Sequence, residues 1–256
     1  MANTLFEQKM IAEVIEHALA QIKLYPLANV HQMDAQAGGS VDIPVLAYIG
    51  DAVDVEAGAE IPASDLTTEL MNCKVKKAAK RLTFTQEEIN NSFIDCNAVA
   101  EAQLSKAVNQ KIEKDLFAEL ANATLTATIE EANVAGLGKA IVPFGEAIDE
   151  PMYLFVSPAD LAQLKTDNAF IVNASHGNAI VGSAGMIFNM EVVVTNNLEA
   201  GKMYVVKQGA LGLFVKKGVE VEVQKDITKQ VYDIVSTAHY VAKLVDVTKA
   251  IAVTIG

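Results

Sequence analysis

Tryptophan is absent from this 256-residue chain, and it has only two cysteines, four histidines and six prolines. No apolar run reaches the roughly 20 residues that a membrane-spanning helix needs. The opening MANTLFEQKMIAEV has no charged stretch followed by an apolar one, so export by the usual signal is not expected. Cys73 and Cys96 lie far apart and match no CxxC spacing, so two buried thiols in a reducing compartment are expected. His17, His31, His176 and His239 do not pair with another histidine, a cysteine or an acid at ligand spacing, so no metal site is expected. Cations are also scarce. The 20 Lys and Arg against 32 Asp and Glu leave a net charge of −12. A dedicated nucleic-acid binder needs a basic face to displace counterions from phosphates, and this balance argues against one. A container for nucleic acid remains compatible, because its wall gains nothing by adhering to the contents.

Catalytic motifs fail on inspection. Gly136-Leu137-Gly138-Lys139 invites comparison with a phosphate-binding loop. The position five residues before the second glycine is Asn133, and the residue after the lysine is Ala140. Both depart from the motif, and a glycine-rich turn is expected instead. Ser183 in Gly182-Ser183-Ala184-Gly185 is not centred between glycines two residues away on either side, so it is no nucleophile elbow. The pairs Glu130-Glu131 and Asp149-Glu150 read as solvated surface. No nucleophile, base and orienting group come together, and no cofactor is expected.

What is present is a sequence of structural signals. Residues 4–24 read as an amphipathic helix with Thr4 and Glu7 in a capping box, stopped by Pro26. Residues 27–39 read as a flexible arm ending at Gly38-Gly39. Val41, Ile43, Val45 and Ala47 alternate, a turn-rich acidic stretch follows, and a second extended run covers Leu66 to Phe84. This predicts a long β-hairpin over 40–84 without a helix of its own to cover it. A lone hairpin is marginal in water, so another subunit is the expected support. Thr85 with Glu88 predicts a helix start. Leu104, Val108, Ile112, Leu116 and Leu120 predict a long helix over 95–123, with Lys106, Lys111, Glu113, Lys114 and Asp115 mostly off its apolar stripe. Residues 140–143 and 152–156 include an apolar strand candidate. Ser157-Pro158-Ala159-Asp160 caps a short helix, 168–185 reads as a loop, and the remainder is rich in strands.

Charge is segregated within the hairpin. Asp51, Asp54, Glu56, Glu60, Asp65 and Glu69 carry no nearby cation, whereas Lys74, Lys76, Lys77, Lys80 and Arg81 carry no nearby acid. A solvated hairpin with local neutralisation accounts for this. So does an acidic tip docking on the basic strand of a neighbouring copy, in which complementary charge sets register. Asp51, Asp54, Glu56, Glu60, Lys74, Lys76, Lys77, Lys80 and Arg81 are therefore the candidate intersubunit contacts.

The order of these elements resembles a known family. The arm, IPVLAYIGDAVDVEAGAEIP at the hairpin turn, KVKKAAKRLTFTQEEI, the long helix, VSPADLAQL and the strand-rich end with TAHYVAKLVDVTKA together resemble the major capsid protein of tailed double-stranded DNA phages. The resemblance implies an α+β Hong Kong 97-like capsid fold: an N-terminal arm (1–39), an extended loop (40–84), a peripheral domain with a spine helix (85–123 and 209–256) and an axial domain (124–208). It further implies pentamers and hexamers closing an icosahedral shell around DNA in a virion assembled in the host cytoplasm. Portal, scaffolding and decoration proteins are the implied partners, with no membrane and no sequence-specific DNA contact. The scaffolding region that a protease removes in some relatives is expected to be absent, as is the Lys–Asn crosslink of others. An encapsulin-like nanocompartment shell shares the fold and encloses cargo enzymes instead of a genome. A cytosolic α/β enzyme built on 124–208 is the rival of a different class, and it leaves the arm and hairpin unexplained.

Overall fold

The computed structural model describes residues 14, 22–33, 39–46, 54–55, 68–91, 96–148, 150–167 and 183–256. The helix expected over 4–24 lies almost wholly outside them; residues 22–24 are bends.

The centre of the molecule is the helix expected from the five-residue apolar stripe. It runs Cys96–Leu120 and is preceded by a short helix, Gln86–Asn91; we call these α2 and α1. Leu104, Val108, Ile112, Leu116 and Leu120 are all buried, as their four-residue step requires. At α1 the Thr85 amide donates to the Glu88 carboxylate at 2.8 Å, and the Glu88 amide donates to Thr85 Oγ1 at 3.2 Å. This reciprocal cap satisfies two amides that a helix start leaves unpaired.

Against α2 lies a four-stranded sheet in the order β1-β10-β11-β4, with β1 Ala28–Gln32, β10 Leu211–Asp226, β11 Val231–Leu244 and β4 Lys76–Thr85. β1 runs parallel to β10; the other pairs are antiparallel. Alternation along β11 sends Ile234, Ala238, Tyr240 and Ala242 into the core that α2 closes. Two expectations change here. The flexible arm of 27–39 contributes β1, a strand of this sheet. The second half of the hairpin expected over 40–84 is β4, paired with β11 and packed under α2.

The true hairpin is shorter. β2 Ser40–Leu46 pairs with β3 Thr68–Lys74 as a two-stranded sheet. Ile43 and Cys73 at its base are buried with Val241 on the sheet face away from α2. Farther out Leu70 stands 67% exposed. Cys73 and Cys96 form no disulfide; Cys73 is buried and Cys96 only half-buried.

A second core is built on a six-stranded sheet in the order β5-β12-β9-β6-β8-β7. Its strands are β5 Leu125–Ile129, β6 Met152–Val156, β7 Ser183–Ile187, β8 Met190–Val194, β9 Lys202–Lys207 and β12 Ala250–Ile255. Leu154, Met190, Val192, Val205 and Ile251 are fully buried in it. The terminal strand β12 lies between β5, to which it runs parallel, and β9, to which it runs antiparallel. Residues 136–139 form a helix, α3 Val134–Ala140, where a turn was expected, and a 3-10 turn, Val142–Phe144, follows it; of the stretches 140–143 and 152–156, the second is the strand. Asn133 Oδ1 accepts the Gly136 amide at 2.6 Å, and a Cβ at Gly136 would sit 2.9 Å from the Glu131 carbonyl. The close approach therefore demands glycine. Ser157 caps α4, Pro158–Leu164, as its sequence predicts; Asp160 is buried and accepts from the Ser157 hydroxyl at 2.8 Å. Residues 183–185, read as loop, belong to β7, while 168–182 lie outside the described residues.

Candidate assembly surface

Five basic residues, Lys74 to Arg81, fall on two elements. Lys74 ends β3, and Lys76, Lys77, Lys80 and Arg81 lie on β4. β4 is an edge strand of its sheet, so anything approaching the open edge meets side chains from both faces. The face toward α2 carries Lys76 and Lys80 around buried Ala78; the opposite face carries Lys77 and Arg81.

Two of the five have work within their own chain. Arg81 forms a two-pronged pair with Asp233, at 2.9 and 2.7 Å, and Thr83 adds a third bond to the same carboxylate. Lys76 lies 3.8 Å from Asp115 on α2. Lys74, Lys77 and Lys80 are exposed and have no ion pair among the described residues. Of the acidic candidates, Asp54 is exposed; Asp51, Glu56, Glu60 and Asp65 lie outside the described residues, and Glu69 is placed on β3 by its backbone alone.

Asp115 was expected off the apolar stripe, yet it is only 6% exposed. It accepts from Tyr240 at 2.7 Å and from Lys111 at 2.8 Å. Burial alone would raise its carboxyl; the bonds from Lys111 and Tyr240 and the nearby Lys76 charge outweigh that and hold it below the usual value. Tyr240, buried and donating to this carboxylate, is pushed above the ordinary tyrosine range. The sequence carried a faint signal: Asp115 falls three positions after Ile112, at the edge of the stripe. A depressed carboxyl stabilises the fold above its ordinary value of 3.8, and that contribution is lost as pH falls through the depressed folded value. Asp115→Asn should therefore cost about 1.5–3 kcal/mol at neutral pH, the range for a hydrogen bond to a charged group. The difference from wild type should shrink well below pH 3.8, which urea unfolding at two pH values measures.

Lys207 is a second buried charge missed by sequence. Its side chain is 3% exposed, donates to the Ala147 carbonyl, lies 3.8 Å from Glu150 and sits 4.3 Å from the Phe144 ring centroid. These contacts staple β9 to the 141–150 segment. Among the described residues no group of His, Cys, Asp and Glu is placed to hold a metal, and no helix is long and apolar enough to cross a membrane.

Among the described residues the arrangement is a scaffold: a four-stranded sheet against a central helix, a six-stranded sheet with a core of its own, a short hairpin, and β4 at a sheet edge. It is the Hong Kong 97-type capsid fold, a fold of shell-forming structural proteins. Solved structures bear this out. The head of Helicobacter pylori bacteriophage KHP40 matches with a TM-score of 0.71 at 10% identity, over 93% of this chain and 91% of that one. A virus-like particle from Pyrococcus furiosus matches with a TM-score of 0.66 at 11% identity, over 96% and 98%. A family model described as phage capsid protein matches residues 69–253. A major capsid protein of Staphylococcus phage phiMR11 is 32% identical over 228 residues, covering 88% of this chain and 83% of the relative. The chain belongs to the phage capsid protein family: it is a phage major capsid protein, a structural subunit of the virion shell and not an enzyme.

Proposed function

We propose that copies of this chain gather into pentamers and hexamers that close an icosahedral shell around double-stranded DNA. One observation carries the reading most directly. The β2–β3 hairpin and the β4 edge turn exposed Leu70 and the cations Lys74, Lys77 and Lys80 away from their own core. In this reading the acidic loop residues Asp51, Asp54, Glu56 and Glu60 of one copy meet those cations on the next; Lys76 and Arg81 flank the contact while serving Asp115 and Asp233. We assign the four-stranded sheet with α2 to the peripheral domain, the six-stranded sheet with β12 to the axial domain, and 40–75 to the extended loop. The net charge of −12 suits a wall that encloses DNA without base-specific contacts. Assembly takes place in the host cytoplasm, with a portal at one vertex and scaffolding or decoration proteins as further partners. The nanocompartment alternative rests on fold likeness alone, whereas the phage reading has a relative at 32% identity. Nuclease treatment of purified particles tests the content: a protected, genome-length DNA is expected, and particles holding only protein cargo would refute the reading.

A further inference from the structure

Two acids lie two residues apart on α2 and meet opposite environments. Asp115 turns to the four-stranded sheet, where Tyr240 of β11 and Lys111 donate to it. Glu113 turns to the seam between α2 and the six-stranded sheet, which the edge-to-face pair Phe117 and Phe155 packs at 5.4 Å. Its surroundings are short of donors. Glu113 Oε1 is buried and has no hydrogen-bond partner among the described residues, and the same holds for Asn109 Oδ1 one helical turn back. The Asn109 amide nitrogen donates to Ser105 Oγ at 3.4 Å. Side chains four residues apart on a helix are neighbours. A proton on Glu113 makes it a donor, and Asn109 offers the acceptor.

The charge that acts on Glu113 is Lys23, in the lead of residues 22–27 into β1. The Lys23 ammonium also donates to the Val194 carbonyl at the end of β8. Asn197, in the β8–β9 turn, bonds the Glu113 carboxyl. The N-terminal lead, α2 and the six-stranded sheet therefore meet at this one group. Nearby charges are occupied elsewhere or face solvent: Glu199 and Lys202 pair with each other at 2.7 Å, and Lys114 is exposed. Burial lifts the Glu113 carboxyl above its usual value, and the Asn197 bond and the Lys23 charge offset only part of that. A raised carboxyl works against the fold while it is charged. That cost is present above the raised value and fades as pH falls through it, the reverse of Asp115.

We propose that Glu113 is a proton-operated latch on the N-terminal lead: charged, it holds Lys23 across the seam; neutral, it turns to Asn109 and lets the lead loosen. The latch belongs to the subunit and is independent of the contact between acidic loop and basic edge.

Glu113→Gln fixes the neutral form, because an amide donates as a protonated carboxyl does. At pH 8 this variant should unfold at higher urea than wild type. Amide hydrogen exchange of residues 22–28, read by mass spectrometry, should nevertheless speed up about fivefold, the ratio that about 1 kcal/mol of a partly exposed ion pair sets. The amides that report it are those of Tyr25, Leu27 and Ala28, bonded to the Ile22 and Leu24 carbonyls at 3.3, 3.1 and 3.1 Å. Local loosening together with global stabilisation distinguishes a latch from a residue that merely packs. Compared at the same pH, wild type should approach the variant's exchange as pH falls toward 4.5, the ordinary carboxyl value. Lys23→Met should speed the same exchange at pH 8, and the double variant should exchange no faster than Lys23→Met alone. A Glu113→Gln protein less stable than wild type at pH 8 overturns the proposal. So does unchanged exchange over 22–28, and so do additive effects in the double variant.

Discussion

Replacing Lys77 and Lys80 by glutamate should lower the yield of closed particles at least roughly tenfold while leaving the subunit's thermal unfolding nearly unmoved. Both are exposed and have no ion pair among the described residues, so the fold itself makes little use of them. Surface substitutions of this kind stay within about 0.5 kcal/mol. Assembly is different. Each exposed pair is worth only about 0–1 kcal/mol, but reversal replaces attraction by repulsion, and a closed shell repeats the contact in every subunit. Lys76 and Arg81 are unsuitable for this test, because Lys76 lies beside the buried Asp115 carboxylate and Arg81 holds Asp233. The interaction should weaken with salt as the Debye length falls from about 10 Å at 0.1 M to about 3 Å at 1 M. Adding Glu56→Lys and Glu60→Lys should restore part of the yield. A four-fold variant that assembles no better than the double variant would rule out pairing of the acidic loop with the basic edge.

Truncation at the N-terminus should show a sharp boundary between 21 and 38. Removing residues 1–38 strips β1 from the four-stranded sheet and takes away Ile22, Leu24 and Leu27, which are 6%, 0% and 2% exposed. Each such side chain contributes about 1.5–3 kcal/mol by burial. Together they approach the whole stability of a typical domain, about 5–15 kcal/mol. The longer truncation should therefore be insoluble or unfolded. Removing residues 1–21 alone leaves these groups in place and should give a folded subunit, by circular dichroism and thermal melting, whose assembly is impaired. Normal particles from the shorter truncation would mean that the arm has no part in assembly. A folded product from the longer one would mean that β1 is dispensable. The arm read over 27–39 places the cut after Gly38; the pairing of Ala28–Gln32 with β10 is what moves the expected boundary to 21.

The difference between what was legible and what was not follows the range of the interactions. The Thr85–Glu88 box, the Ser157 cap and the stripe from Leu104 to Leu120 are local patterns, and each appears where the residues put it. Strand partners are non-local. Alternation along 76–85 says which side chains share a face, but not that β4 pairs with β11 across some 150 residues of sequence. The same gap hides the return of β12 to the six-stranded sheet and the parallel pairing of β1 with β10. Gly136 and Gly138 suggested a turn because glycine disfavours helix interiors; the Asn133 cap and the tight approach to Glu131 override that preference. At the assembly surface the basic cluster was visible as a run of charge. Its division into cations paired within the chain, Lys76 and Arg81, and exposed cations with no ion pair among the described residues, Lys74, Lys77 and Lys80, required the positions of Asp115 and Asp233.

The central claim, that this subunit is made to complete itself on other copies, is tested most directly by the mass of what it forms. Purified chain of 27.3 kDa should sediment as capsomers of five or six copies or as megadalton particles, with closed shells in negative-stain micrographs. A folded protein that stays monomeric or dimeric at every concentration and salt, with no particles in the micrographs, would contradict the account.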